Sequence, residues 1–338
     1  MRAGTAAPAN CAGEHVPGEN VVGQPSFPSR LQIQTTVACG AACTICPHPR
    51  KSPSWPNGPI DDRLFDRIVA QLPGRAVKHV CPYLMADPLS DRKIFDRVRQ
   101  LRAALPETSI ELSTTGMYLT PALAEKLLRA PLNELRISSH GITGEEYSRT
   151  MPNVDFLRAM TNIRRFIALW QQERPYKLSI VSLWGLWPAE REVEIEAYWR
   201  ELGVQLCKWR VTSRSTHVDL SAFPDGSPDP TAYRAGRREP PYLCRERRDS
   251  EWMHILSDGR VTLCCMDYGQ EVILGDVRQA GIAAIWSGAA YRAVRARIRG
   301  DLPMADNFLC ARCEWHVSRS VYEEHNRRKA AVGTADAV

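Results

Sequence analysis

Three cysteines stand close together after an apolar run, as Cys39-Gly40-Ala41-Ala42-Cys43-Thr44-Ile45-Cys46, in the order Cys-x3-Cys-x2-Cys. This arrangement constrains the chain more than any other feature, because thiolates are soft ligands and a closed zinc site takes four of them. Three thiolates on a cubane leave one iron free for a small molecule. The competing readings are a loop of reduced cysteines or a zinc site completed by His48.

The motif sits in a chain built for a parallel sheet. Strand-like runs fall at 31–37, 77–84, 109–113, 134–139, 177–183 and 204–212, and helical patterns lie between them at 62–72, 92–104, 121–128, 154–171 and 189–202. Strict alternation requires crossover helices on the outside of the sheet, and in such folds chemistry gathers beyond the carboxyl ends of the strands. The cysteine motif follows the first strand at that end.

A second cysteine set lies beyond a proline-rich stretch at 216–243, which reads as a linker. It comprises Cys244, Cys264, Cys310 and Cys313, with Gly259 in the Ser257-Asp258-Gly259 hairpin turn before Cys264. Spacing alone leaves open a zinc ribbon of four thiolates. Adjacent Cys264 and Cys265 compete for one ligand position, since strand neighbours point to opposite faces, and the glycine spacing favours Cys264.

The first motif resembles the signature of the radical SAM superfamily, and the second resembles the SPASM region, or its shortened form called twitch, that follows the barrel in many of those enzymes. The glycine and tryptophan of Gly275-Asp276-Val277 and Ile285-Trp286 extend the second resemblance. The fold it implies is an open partial (β/α)6 barrel with a small α+β cluster domain. The domains expected are a disordered tail over 1–28, a barrel over 29–215, the linker, an auxiliary-cluster domain over 244–316, and a C-terminal helix and tail over 317–338.

The resemblance implies three cofactors: a 4Fe-4S cluster on Cys39, Cys43 and Cys46, S-adenosylmethionine on its open iron, and one auxiliary 4Fe-4S cluster on Cys244, Cys264, Cys310 and Cys313. Leu84-Met85-Ala86-Asp87-Pro88 looks like the family's methionine-binding segment, with Asp87 at the acidic position; an ordinary helix cap is the alternative. Ser113-Thr114-Thr115-Gly116 and the pair Ser138 and Ser139 look like segments that bind ribose and carboxylate, although such residues also make turns. Lys208, Arg210, Thr212 and Arg214 alternate along the last strand and share a face. If that face points inward, it binds anions of the cofactor or substrate; the alternative is a solvated strand end.

Four cysteines are left over: Cys11, Cys81, Cys207 and Cys265. Cys207 and Cys265 are candidate hydrogen donors to a substrate radical, set against the ordinary role of cysteine as a small hydrophobe. His140 and Glu111 are candidate acids or bases, against a structural histidine and a surface glutamate. The resemblance extends to tailoring enzymes of aminoglycoside and nucleoside antibiotics. It implies a 5′-deoxyadenosyl radical that removes hydrogen from a hydroxyl-bearing carbon of a sugar, aminocyclitol or nucleoside, giving epimerisation or dehydrogenation. The alternatives are decarboxylation of a sugar-acid nucleoside and peptide modification. An external one-electron donor such as flavodoxin or ferredoxin is a further expectation.

Composition bounds the rest. Among 338 residues, 44 Lys and Arg against 38 Asp and Glu give a net charge of +6, but the charges are intermixed. The basic stretches at 245–248 and 292–299 lack interleaved aromatics, which argues against a nucleic-acid partner. With no run of 18 apolar residues and no secretory h-region, the chain is expected to be soluble and cytoplasmic, where its eleven cysteines serve as thiols and not disulfides.

Overall fold

The computed structural model describes residues 25–48, 55–219 and 241–324. Six strands of the sheet run parallel in chain order: β1 (Arg30–Ile33), β2 (His79–Cys81), β3 (Ser109–Thr114), β4 (Glu134–Ser138), β5 (Lys177–Trp184) and β6 (Gln205–Arg210). The helices α1 (Asp62–Val69), α2 (Ile94–Ala104), α3 (Pro121–Leu128), α4 (Gly144–Thr150), α5 (Phe156–Glu173) and α6 (Ala189–Glu201) fall between them. This is the (β/α)6 half-barrel expected, with shorter first and second strands.

The helices start where their sequences dictate. The Asp61 side chain caps α1, Thr120 caps α3 ahead of Pro121, and Asp155 caps α5. Helix α4 was not expected; it is short and polar, held by a capping box between Thr143 and Glu146. The core lies between the sheet and these helices. Leu31, Ile33, Val80, Ile110, Leu112, Leu135, Ile137 and Ile180 on the strands meet Phe65, Ile68, Val98, Leu101, Leu127, Ile163 and Phe166 on the helices, and all are buried.

The C-terminal part contains β7 (Pro241–Cys244), the hairpin β8 (Trp252–Ile255) and β9 (Arg260–Thr262), β10 (Ile273–Asp276), α7 (Ile282–Trp286), α8 (Ala289–Arg299) and β11 (His316–Ser318). Gly259 takes φ +93° in the hairpin turn, as its sequence position requires. The helical pattern at 282–298 breaks into two helices at Ser287 and Gly288. The hairpin is not a separate sheet: β8 pairs in parallel with β1, so nine strands form one sheet in the order β10-β9-β8-β1-β2-β3-β4-β5-β6.

The expected tail over 1–28 falls mostly outside the described residues. Its last part is packed, since Phe27 is buried and the Pro25 carbonyl accepts from Trp286 Nε1 at 2.9 Å. Most of the expected linker and the chain after 324 also lie outside the described residues. Residues 319–324 continue β11 as a helical turn. No helix of the described residues is long and apolar enough to cross a membrane.

Candidate active site

Cys39, Cys43 and Cys46 lie in the loop after β1, against the ends of β3 and β4. The loop is held by Thr44, whose backbone N–H donates to the Thr150 carbonyl at 3.0 Å and whose hydroxyl donates to the Arg149 carbonyl at 2.8 Å. Gly40 N–H donates to Tyr118 Oη at 3.1 Å, and a Cβ there would stand 2.4 Å from Met117 Cε, so a larger residue would have to displace the methionine tip. Burial and then the Asp87 carboxylate push the Cys39 thiol up to about 11, and burial and then Cys46 raise Cys43 further. Cys39 and Cys43 are thus disfavoured as thiolates without a cation to share.

Cys43 and Cys46 open onto a cavity of about 110 Å3 bounded also by Thr115, Ser138, His140, Val181, Leu183, Trp209 and Arg214. It sits at the carboxyl ends of β3 to β6. The His140 Nδ1 accepts from Leu183 N–H at 3.3 Å. Burial and then the Arg214 charge lower the imidazole to about 3, so at neutral pH it is uncharged and its Nε2 carries the hydrogen.

Several expected site residues are elsewhere or otherwise engaged. Asp87 Oδ2 accepts from Thr114 Oγ1, Thr115 N and Thr115 Oγ1, each at 2.9 Å, and Oδ1 accepts from Leu89 N at 3.0 Å. Asp87 therefore caps the turn at 88–90 and ties it to Thr115, with three donors on Oδ2 and one on Oδ1. Thr115 and Ser138 line the cavity, and Ser113 lies deeper on the strand face it shares with Glu111. Ser139 faces away, fully buried, with its hydroxyl on the Gly141 carbonyl and Tyr147 Oη at 2.9 Å each.

The cationic row is corrected too. On β6 the inward residues are Cys207 and Trp209, because they pair with inward Val181 and Leu183 of β5. Lys208 points outward to Glu196 of α6, over the Trp184 ring at 4.2 Å, and Arg210 is exposed. Only Arg214, beyond the strand, reaches the cavity. Cys207 is completely buried on that inward face and is not part of the cavity lining. Nine of the described cysteines are free thiols; Cys11 lies outside the described residues.

Cys244, Cys264, Cys310 and Cys313 converge from β7, the turn after β9 and the turn at 309–312. Burial raises all four thiols. The charges acting on them show which sulfurs are neighbours: Asp249 and then Cys313 act on Cys244, Cys313 and Cys244 on Cys310, Cys265, Cys313 and Cys310 on Cys264, and Glu314 and then Cys265 on Cys313. Cys265, a free thiol, packs with Trp55, Leu84, Met85, Leu256 and Tyr268 and is also a close neighbour of Cys264 and Cys313. Tyr268 Oη is 3.7 Å from Cys46 Sγ, so this group lies between the two sulfur sets.

The donor sets fit iron–sulfur clusters better than single ions. Four thiolates on one zinc lie about 3.8 Å apart, yet among the described residues only His79, Cys81 and Glu111 bring three ligand atoms within 4.8 Å of one another. A cluster carries its thiolates on separate irons and calls for the wider spacing. His48, the alternative zinc ligand, donates Nε2–H to the Val37 carbonyl at 3.0 Å.

Deeper in the half-barrel is a polar group that sequence reasoning missed. Glu111, expected at the surface, is buried and accepts from Tyr83 Oη at 2.5 Å, with His79 Nε2 at 3.2 Å and Arg136 at 3.1 Å. Burial pushes its carboxyl up, but His79 and Arg136 outweigh that and hold it below the usual range. With a guanidinium already on Glu111, the three close ligand atoms form a charge-balanced network under the cavity floor. Alternation along β3 and β4 was the available signal, since Glu111 and Arg136 share the inward face with Ser113 and Ser138.

The chain matches the radical SAM superfamily model over residues 33–171 and the SPASM model, an iron–sulfur cluster-binding domain, over residues 244–314. No curated protein sequence matches it. Among solved structures it shares the fold of BtrN in complex with AdoMet and 2-DOIA, at 15% identity and a TM-score of 0.55, covering 85% of this chain and 92% of that one. It is also similar to Streptococcus suis SuiB bound to precursor peptide SuiA, at 14% identity and a TM-score of 0.62, covering 81% and 68%. A third likeness is to anSMEcpe with bound AdoMet and Kp18Cys peptide, at 13% identity and a TM-score of 0.61, covering 91% and 100%. The two domains imply a 4Fe-4S cluster with S-adenosylmethionine and auxiliary iron–sulfur binding.

Proposed function

Since the chain belongs to the radical SAM superfamily and carries a SPASM domain behind its barrel, we propose that it removes hydrogen from a hydroxyl-bearing carbon of a sugar, aminocyclitol or nucleoside, in epimerisation or dehydrogenation of the kind used to tailor antibiotics. When bound, the cluster on Cys39, Cys43 and Cys46 with S-adenosylmethionine supplies a hydrogen-abstracting radical. The observation that carries the reading is the cavity itself. Beside Cys43 and Cys46 it is lined by Thr115, Ser138, neutral His140 and Arg214 against the Trp209 ring, groups that can hydrogen-bond hydroxyls.

In this reading Thr115 and Ser138 exchange hydrogen bonds with substrate hydroxyls, and His140 donates through Nε2. Trp209 and Leu183 exclude water beside the reacting carbon. Cys265, a free thiol in the group between the two sulfur sets, is the candidate hydrogen donor in this reading: its S–H bond breaks as the new C–H bond forms. The thiyl then takes one electron from a flavodoxin- or ferredoxin-class donor and one proton from solvent. Decarboxylation of a sugar acid is a second reading, favoured by the one cation in the cavity lining, Arg214.

Anaerobically reconstituted protein tests this with S-adenosylmethionine, a strong reductant and a panel of sugars and aminocyclitols in deuterated water. Epimerisation gives product one deuterium heavier, dehydrogenation gives product two mass units lighter, and decarboxylation releases carbon dioxide. Unchanged epimer yield in Cys265→Ala would remove the thiol donor. Failure to form deoxyadenosine under any condition would remove the whole reading.

A further inference from the structure

After β6 the backbone does something a strand cannot do. Arg214, Ser215 and Thr216 have φ of 51°, 56° and 73°, three consecutive non-glycine residues in the left-handed region. Each is disfavoured for an L-residue, and such a run persists only when its surroundings over-determine it. Those surroundings come from the auxiliary domain. Glu314, next to Cys313, accepts from Ser213 N–H at 2.6 Å and from the Ser213 hydroxyl through one oxygen, and from Ser215 N–H at 3.4 Å through the other. Ser213 Oγ accepts in turn from Thr216 N–H at 3.0 Å, and the Ser213 carbonyl from Val218 N–H at 2.8 Å. Ser213 and Ser215 are completely buried.

The strained turn reverses the direction the strand would have imposed and delivers the Arg214 side chain to the cavity beside Cys43, Cys46 and His140. Among the described residues, its guanidinium has only the soft Met266 sulfur as an acceptor, 3.7 Å from Nη1, and it pairs with no carboxylate. Other inward cations are matched, as Arg136 is by Glu111 and Glu134. An arginine held in a costly backbone conformation, facing a cavity, with no anion of its own chain, has a fork of donors ready for one.

We propose that Arg214 is a specificity-determining residue that binds a carboxylate or phosphate group of the substrate, and that Glu314 is the positioning residue that aims it by locking the turn. The inference rests on the cavity being the substrate site. It also makes anion recognition depend on docking of the auxiliary domain, because the clamp and the ligand candidate Cys313 are neighbours in sequence.

Residue-resolved modification separates the possibilities without knowledge of the substrate. The reconstituted holoenzyme is treated with phenylglyoxal at constant ionic strength, with and without inorganic phosphate, and modification of each arginine is read by peptide mass spectrometry. Phosphate should slow modification of Arg214 several-fold and saturably, with exposed Arg210 unaffected, and the protection should persist with S-adenosylmethionine at saturation. Glu314→Gln should abolish the protection while retaining the iron content of both clusters. Arg214 reactivity indifferent to phosphate overturns the proposal. So does complete protection by S-adenosylmethionine alone, which would assign the guanidinium to the cofactor carboxylate. Deoxyadenosine formed by the same preparation shows separately whether the underlying enzyme reading stands.

Discussion

Asp87 shows how one carboxylate can hold the loops of a site together. Its carboxylate collects four donors from two loops, so Asp87→Ala strands buried partners and should cost about 3 kcal/mol or more in urea unfolding, with Thr115 displaced. Tyr268 acts on a different property. With Cys46 ligated as a thiolate, its hydroxyl is positioned to donate to the sulfur at 3.7 Å, and hydrogen bonds to cluster sulfurs help set reduction potential. Tyr268→Phe should lower the midpoint potential of the first cluster in an EPR-monitored titration and leave the auxiliary one in place; equal potentials in both proteins would rule the contact out. The cysteine spacing was legible because it is local. The Tyr268 contact spans 222 positions of sequence, and nothing in either segment announces it. Lys208 and Arg210 failed for another reason: alternation tells which residues share a face, not which face turns inward.

Elements were read most surely where periodicity and caps agree, as for α1, α3 and α5. Helix α4 escaped because seven residues carry too short an apolar pattern, although its capping box was there to be read at Thr143 and Glu146. The helical pattern at 282–298 looked continuous because Ser287 and Gly288 interrupt the chain without changing the phase of Ile282, Ile285 and Ile298. The loop after β3 depends on its glycine in two ways. Gly116 takes φ +76°, and a Cβ there would stand 2.8 Å from Ile163 of α5. Gly116→Ala should therefore destabilise the fold by roughly 1–3 kcal/mol, the range for a left-handed non-glycine residue, and pull Thr115 from the cavity. An unchanged melting temperature would show the loop to be more pliant than its packing indicates.

At the scale of the whole molecule, buried histidines set the response to acid. Burial and then Arg214 depress His140 to about 3, and burial lowers His254 well below its ordinary value. Both are neutral when folded, so the unfolded chain binds more protons below pH 6.5. Stability should fall as pH drops from 6.5 toward 3, with a slope approaching about 1.4 kcal/mol per pH unit for each histidine; urea midpoints at pH 7.5 and 5.5 check it. A second prediction concerns the joined sheet. Truncation after residue 219 removes β8 and leaves the β1 edge, with its backbone donors and acceptors, unpaired. The shortened chain should associate or precipitate, and a monodisperse, folded product would refute this. Because the hairpin is hydrogen-bonded to the very strand that leads into Cys39, the second half of the protein cannot be treated as a cassette. Grafting it onto another barrel would demand an open flank of matching register, and slow amide exchange at Arg30 and Gln34, whose N–H groups donate to the Glu251 and Ile255 carbonyls, would report, from inside the first half, whether the second had come to rest.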